Sequence, residues 1–407
     1  MPPRPTTGLP ALRLPGLFGP ACALLGFSLA MPLAWGSLAI ALLLLAWLLR
    51  GDWRLQFKRL RASTPALWAL ALLLLLLLGS LYSQGSPQQV HYALNKNAKL
   101  LLLPILVMAA TDARWRQRAL DGFLLGLGIE VAVSYGRWLG LLPRFADPGQ
   151  PYTGLINHIA FGLMLGVGCF AFGWRALQPG RRRWLWGLLA LLTGCDALFI
   201  SSGRTGYAVL LALLAAACVR RWRWRGLLIG LLAAAALAGA AMTASGTARM
   251  RWQQAATDLQ SYRHGQDQTS LGLRLLHDRL TLQVIIRHPL LGTGSGGLAG
   301  AIASLDPSLP MPVGNPENQY LLLAAELGLP GLLVLGGLIW SLWRCSSRLA
   351  PQQRHLLQQL LLALAVASLF NAPLLDAPEG RFAVVLAGLL AAAAIPSPKP
   401  DASPEPI

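Results

Sequence analysis

The chain has 407 residues, of which 55% are hydrophobic and only 12% charged, yet its net charge is +18. Soluble globular domains carry roughly a quarter charged residues, so the composition excludes an ordinary soluble enzyme and indicates an all-α integral membrane protein. The positive charge would suggest nucleic acid in a soluble chain. Here it sits in short clusters between apolar stretches, where it more often meets anionic lipid.

A membrane span needs about 20 mainly apolar residues, and about twelve segments qualify: 14–31, 33–49, 65–83, 94–111, 119–141, 155–173, 184–201, 204–219, 226–244, 319–343, 355–373 and 380–396. The fourth is the weakest, because Lys96 and Lys99 stand at its start. The first apolar stretch lacks a small-residue cleavage site and a second follows at once, so no cleaved signal peptide is expected. The tails, 1–12 and 396–407, are too short and too polar for a core, and disorder is expected in both.

Basic clusters fall at Arg50/Arg54/Lys58/Arg59/Arg61, Arg114/Arg116/Arg118, Arg175/Arg181/Arg182/Arg183, Arg220/Arg221/Arg223/Arg225 and Arg344/Arg348/Arg354. They occupy every second connection, which is the positive-inside pattern. The tryptophans among them (Trp115, Trp184, Trp222, Trp224) suit the headgroup belt. This parity predicts cytoplasmic termini and one long outer connection. The division is then nine spans over 1–244, a helical outer loop over 245–318, three spans over 319–396 and a cytoplasmic tail over 397–407. The five cysteines (Cys22, Cys169, Cys195, Cys218, Cys345) lie in spans or on the inner face, so no disulfide is expected, and no pair has metal-ligand spacing.

Within the long loop, the spacing predicts a helix over 269–287. Leu271, Leu275, Asp278 and Leu282 fall on one side, and Arg274, His277 and Thr281 on another. A second amphipathic segment is expected over 248–262. His288-Pro289 and glycines 292, 294, 296 and 297 end the first helix. That glycine run superficially resembles a phosphate-binding loop, but it follows a helix and has no lysine. It reads as a helix stop and a flexible turn.

Arg204 follows Ser201-Ser202-Gly203 between two apolar spans with almost no loop. An arginine there either snorkels to headgroups or holds an anion with its planar fork. Arg274, Arg279 and Arg287 are either solvated or close over the same anion. Glu317 is either a cap at the start of the tenth span or a general base, with His264, His277 and His288 as competing bases. No Asp-x-Asp pair or other metal spacing occurs, so the charge leaving with a phosphate would be neutralised by arginines rather than a metal. One folded outer loop rich in Arg and His reads first as an enzyme acting on an anionic lipid.

Several motifs together resemble the O-antigen ligase and polymerase family. They are Ser201-Ser202-Gly203-Arg204-Thr205, the Arg274 helix, Arg287-His288-Pro289-Leu290-Leu291-Gly292-Thr293-Gly294, Asn315-Pro316-Glu317-Asn318-Gln319-Tyr320-Leu321 and Glu326-Leu327-Gly328-Leu329-Pro330-Gly331. Each is weak alone; their order and placement around a late outer loop are fairly specific. The resemblance implies a GT-C-like glycosyltransferase in the bacterial inner membrane, inverting and independent of metal or other cofactor, with its active site on the periplasmic face. The donor would be an undecaprenyl-pyrophosphate-linked polysaccharide and the acceptor a sugar hydroxyl of lipid A–core.

Arg204 and Arg274 match the arginines that bind the donor pyrophosphate. Arg287, His288, Asn318 and Lys99 are secondary candidates. Members usually carry histidine where this chain has Glu317; glutamate can accept the same proton, or else position 317 is a substituted, inactive site. Polymerases and protein O-oligosaccharyltransferases differ only in acceptor. From another class, a twelve-span transporter would show repeated halves and midplane charges, and neither is found.

Overall fold

The computed structural model describes residues 15–145, 150–201, 203–244, 246–263, 269–307 and 314–395, and among them there is no strand. The expected tails, 1–12 and 396–407, therefore lie outside the described residues. Long Leu/Ala runs have high helix propensity, and a helix satisfies its own backbone polar groups where no water is available.

The first half comprises α1 (Pro15–Ser28), α2 (Leu33–Leu48), α3 (Trp53–Ala62), α4 (Thr64–Gly79), α5 (Pro87–Asn97), α6 (Leu102–Ala109), α7 (Ala113–Trp138) and α8 (His158–Ala176). The second half adds α9 (Arg183–Cys195), α10 (Arg204–Ala244), α11 (Gly246–Arg263), α12 (Ser270–Arg287), α13 (Leu298–Leu305), α14 (Gln319–Ser346), α15 (Pro351–Ala367) and α16 (Ala377–Ala393). By length and composition, five described helical stretches are able to cross a membrane: Ala113–Trp138, His158–Ala176, Arg183–Ile200, Arg204–Ala240 and Gln319–Ser346. The pair α2 and α3, bent by 115°, makes a sixth if counted as one broken span. The expected fourth span is interrupted: α5 gives way to a 3-10 turn at Ala98–Leu101 before the eight-residue α6.

Two long helices are broken, each for a visible reason. Arg223 has φ 55, and the two halves of α10 fold back on each other, with Gly226 against the Cys218 carbonyl and Gly230 against Ala215. The expected segments 204–219 and 226–244 are therefore the arms of one helical hairpin. In α14 the break is at Gly328, φ 63, two residues before Pro330. A break frees carbonyls that a continuous helix would use. Those of Ala325 and Glu326 accept instead from the backbone N–H groups of Thr293 (2.9 Å) and Gly294 (2.8 Å).

This overturns the reading of 292–297 as a flexible turn. Thr293 and Ser295 are fully buried, Ser295 Oγ donates to the Leu76 carbonyl at 2.7 Å, and Gln84 N–H donates to Thr293 at 2.8 Å. The loop is a wedge between the end of α4 and the break in α14. The glycines were legible; the free carbonyls that receive them belong to a segment some 30 residues later.

Gly294 sits at φ +82, and a Cβ there would lie 2.5 Å from the Gly79 carbonyl oxygen. A side chain in the left-handed region costs roughly 1–2 kcal/mol before any clash. Gly294→Ala is expected to lower the melting temperature of the detergent-purified chain clearly, whereas Gly239→Ala, which meets nothing within 4 Å, leaves it unchanged. Equal melting of the two variants would refute the wedge.

The bundle has two distinct ends. At one, Arg59 is buried and donates to the carbonyls of Val107 and Ala392, both at 3.2 Å, Arg116 donates to Ala110 and Thr111 at 2.8 Å, and Arg175 pairs with Asp121. Arg59 and Arg116 cap carbonyls at helix C-termini, an arrangement the dipole favours. The opposite end carries the starts of α8, α10 and α14.

Candidate functional site

The site is built on the first turn of α14. Asn318 is its cap: the side-chain oxygen accepts from Tyr320 N–H at 3.0 Å and Leu321 N–H at 3.1 Å, and its amide donates to the Leu369 carbonyl at 3.3 Å. Glu317 is therefore not the cap. It precedes it, at φ 53, a conformation costing a non-glycine residue roughly 1–2 kcal/mol. An Asx-type turn holds it there, since Glu317 N–H donates to Asn315 Oδ1 at 2.9 Å. So placed, the carboxylate forms an ion pair with the Arg274 guanidinium, both side chains being partly exposed.

Arg274 is presented by α12, which begins at the Thr269 cap as the spacing predicts. Its buried side differs from the expected one. Leu280, Thr281 and Val284 are buried, and Leu280 and Val284 pack with Leu298, Ile302 and Leu322, whereas Leu282 is 48% exposed. The choice is made by α13 and α14, against which the Thr281 side is turned. That side also carries Arg274, His277 and Asp278, so the packing which buries it aims them at Glu317.

Burial lowers the basicity of the His277 imidazole, with the negative Glu317 opposing it. Burial raises the Asp278 carboxyl, with Arg274 lowering it and Glu317 raising it further. Asp278 Oδ1 is buried without a hydrogen-bond partner. Asp278 was placed on the apolar side by sequence spacing; its position four residues after Arg274 was the signal that it belongs to the site.

Arg204 opens α10. It is positioned from below by contact of Gly206 with Gly162, where a Cβ would meet backbone at 2.9 Å. Its neighbour Thr205 accepts from Asn371 Nδ2 at 2.7 Å, and the Asn371 carbonyl accepts from Gln319 N–H at 3.1 Å. Gln319 Oε1 in turn accepts from Leu374 N–H at 2.8 Å. The start of α10 is thus tied to the start of α14 through the 368–376 connection. Lys99 enters the same connection, donating to the carbonyls of Leu375 (3.2 Å) and Asp376 (2.7 Å). The Asp376 carboxyl is pushed up by burial, pulled down by Lys99 and Lys96, and pushed up by Glu317. Asn371 and Asp376 were missed because their role depends on contacts far along the chain.

Arg287 and His288 are not brought to this cluster. They lie at the other end of α12, about 20 Å from Arg274 at 1.5 Å rise per residue. Arg287 is exposed, and His288 N–H and carbonyl both serve the helix end and the glycine wedge. His264 lies outside the described residues. Among the described residues no three His, Cys, Asp or Glu side chains converge as a metal site.

An all-helical protein with membrane-length helices, and an arginine–carboxylate site at the end opposite its basic clusters, is the class these features define. Residues 188–336 match the family model Wzy_C, O-antigen ligase, and this match supports membership of the O-antigen ligase superfamily. The matched stretch contains Arg204, Arg274 and Glu317 and excludes Lys99. No curated protein matches the sequence.

Proposed function

We propose that this chain is an inverting, metal-independent glycosyltransferase that moves polysaccharide from undecaprenyl pyrophosphate to a sugar hydroxyl of lipid A–core. The observation that carries the reading is the Arg274–Glu317 pair, held by a strained turn beside the Arg204 end of α10, inside the family-matched stretch. In this reading the acceptor oxygen attacks the anomeric carbon from the face opposite the diphosphate. The new C–O bond forms as the bond to the pyrophosphate oxygen breaks, and Glu317 takes the hydroxyl proton. Arg204 and Arg274 hold the diphosphate and neutralise the charge that leaves with it.

The membrane arrangement belongs to the same proposal: about twelve crossings with cytoplasmic termini, and the site on the periplasmic face of the bacterial inner membrane. The positive-inside pattern supports it, as does the gathering of Arg50, Arg59, Arg116 and Arg175 at the end away from Glu317. The experiment is complementation of a strain lacking its own ligase. High-molecular-weight lipopolysaccharide on a gel is the expected result. Its absence, with the protein present in the membrane, would move the assignment to a polymerase or protein O-oligosaccharyltransferase acceptor.

A further inference from the structure

A large, partly open cavity in the basic half of the bundle plays no part in the proposed reaction. It is a cavity of about 790 Å³ between α8, α9, α10 and α15, within the range of about 300–1,000 Å³ that ligand sites occupy. Its depth is apolar, with Phe170, Leu214 and Leu356. Arg175, Arg220 and Arg221 also line it. From Arg204 to Arg220 the chain climbs sixteen residues of α10, so this mouth is about 24 Å from the Arg204 end of the bundle.

Two observations indicate a ligand. Trp174 Nε1 and Gln359 Oε1 are buried, line this cavity, and have no hydrogen-bond partner; leaving such atoms unpaired is costly, and natural structures rarely do so. The cations are only partly answered by protein groups. Arg175 has Asp121, but Arg220 has only the Gln358 amide oxygen, at 2.9 Å, and Arg221 lies 5.8 Å above Trp222. Among the described residues, neither Arg220 nor Arg221 is within ion-pair distance of a carboxylate.

We propose that this cavity binds one anionic phospholipid with a hydroxylated headgroup, its phosphate at Arg220 and Arg221 and its acyl chain along Leu214 and Leu356. The phosphate and ester oxygens accept from the Trp174 indole N–H and the guanidinium groups, and the headgroup hydroxyl donates to Gln359 Oε1. A zwitterionic lipid brings a cation to a cationic mouth and is disfavoured. Free phosphate lacks the chain that fills the apolar depth. The site is at the opposite end of the bundle from Glu317, and the proposal stands whether or not the transfer reaction does.

The test is native mass spectrometry of the delipidated full chain, titrated with phosphatidylglycerol or phosphatidylethanolamine, with and without millimolar inorganic phosphate. Retention of one phosphatidylglycerol is expected where phosphatidylethanolamine is lost. Occupancy should fall about tenfold in the double variant Arg220→Ala/Arg221→Ala, and also fall in Gln359→Leu. The double lysine variant should recover retention, and Arg54→Ala/Arg61→Ala, on a separate basic cluster, should behave as the unaltered chain. Equal retention of both lipids, displacement by inorganic phosphate, or equal loss in the two double alanine variants would each overturn the site.

Discussion

Arg274→Ala is expected to cut polysaccharide transfer by about 10²–10³-fold while leaving the amount of folded protein in the membrane unchanged. The rate term follows from the proposed chemistry: removing one group that meets charge developing in a transition state typically costs that much. The stability term is small, because the Arg274–Glu317 pair is partly exposed on both sides, and such pairs contribute about 0–1 kcal/mol. Losing the guanidinium also removes the cation that offsets the mutual repulsion of Glu317 and Asp278. Arg274→Lys separates charge from shape. It restores the charge but not the planar fork that grips two phosphate oxygens, and partial recovery is expected. Arg204→Ala should give a loss of the same order. Full lipopolysaccharide ladders from either alanine variant would remove that residue from the mechanism.

Glu317 is expected to show the larger and more diagnostic effect, because activity and stability should move in opposite directions. Glu317→Gln keeps the side-chain shape but cannot take a proton, and a lost general base typically costs about 10²–10⁴-fold. Glu317→Gly removes the carboxylate and also the strain of φ 53. It should be inactive yet at least as thermally stable, since glycine enters the left-handed region without penalty. An active Glu317→Gln enzyme would exclude the carboxylate as base and leave His277, within electrostatic reach of Glu317, as the next group to test. If Glu317→His alone is active, the chain is a member whose base has been replaced. Transfer and melting temperature, read on the same preparations, distinguish these cases.

The residues now gathered at this end of the bundle differ in how visible they were. Arg204 stood out because an arginine between two apolar segments demands an explanation, and Arg274 because a helical period ran through it. Neither signal depends on the rest of the chain. Glu317 stood out by its place just before a span, as either a cap or a base; the cap reading does not hold, because Asn318 takes that position. Arg287 and His288 carried the same residue types as the candidate site but fell at the far end of a rigid helix. Asn371 and Asp376 gave no local signal, because what they do is receive groups from α10, α14 and the Lys99 turn.

By itself, then, the sequence determined that the chain is helical and apolar, where most helices begin and end, and which connections carry cations. Those properties depend on neighbours within a few residues: propensity, capping and hydropathy. Only the tertiary structure decided that Gly294 is wedged against the broken α14, and which side of α12 is buried. Those depend on which carbonyls a distant break leaves free and which helix arrives to cover a face. The pairing of Arg274 with Glu317 is of this second kind, since it exists only because α13 and α14 bury the Thr281 side of α12 and turn its charged edge toward residue 317.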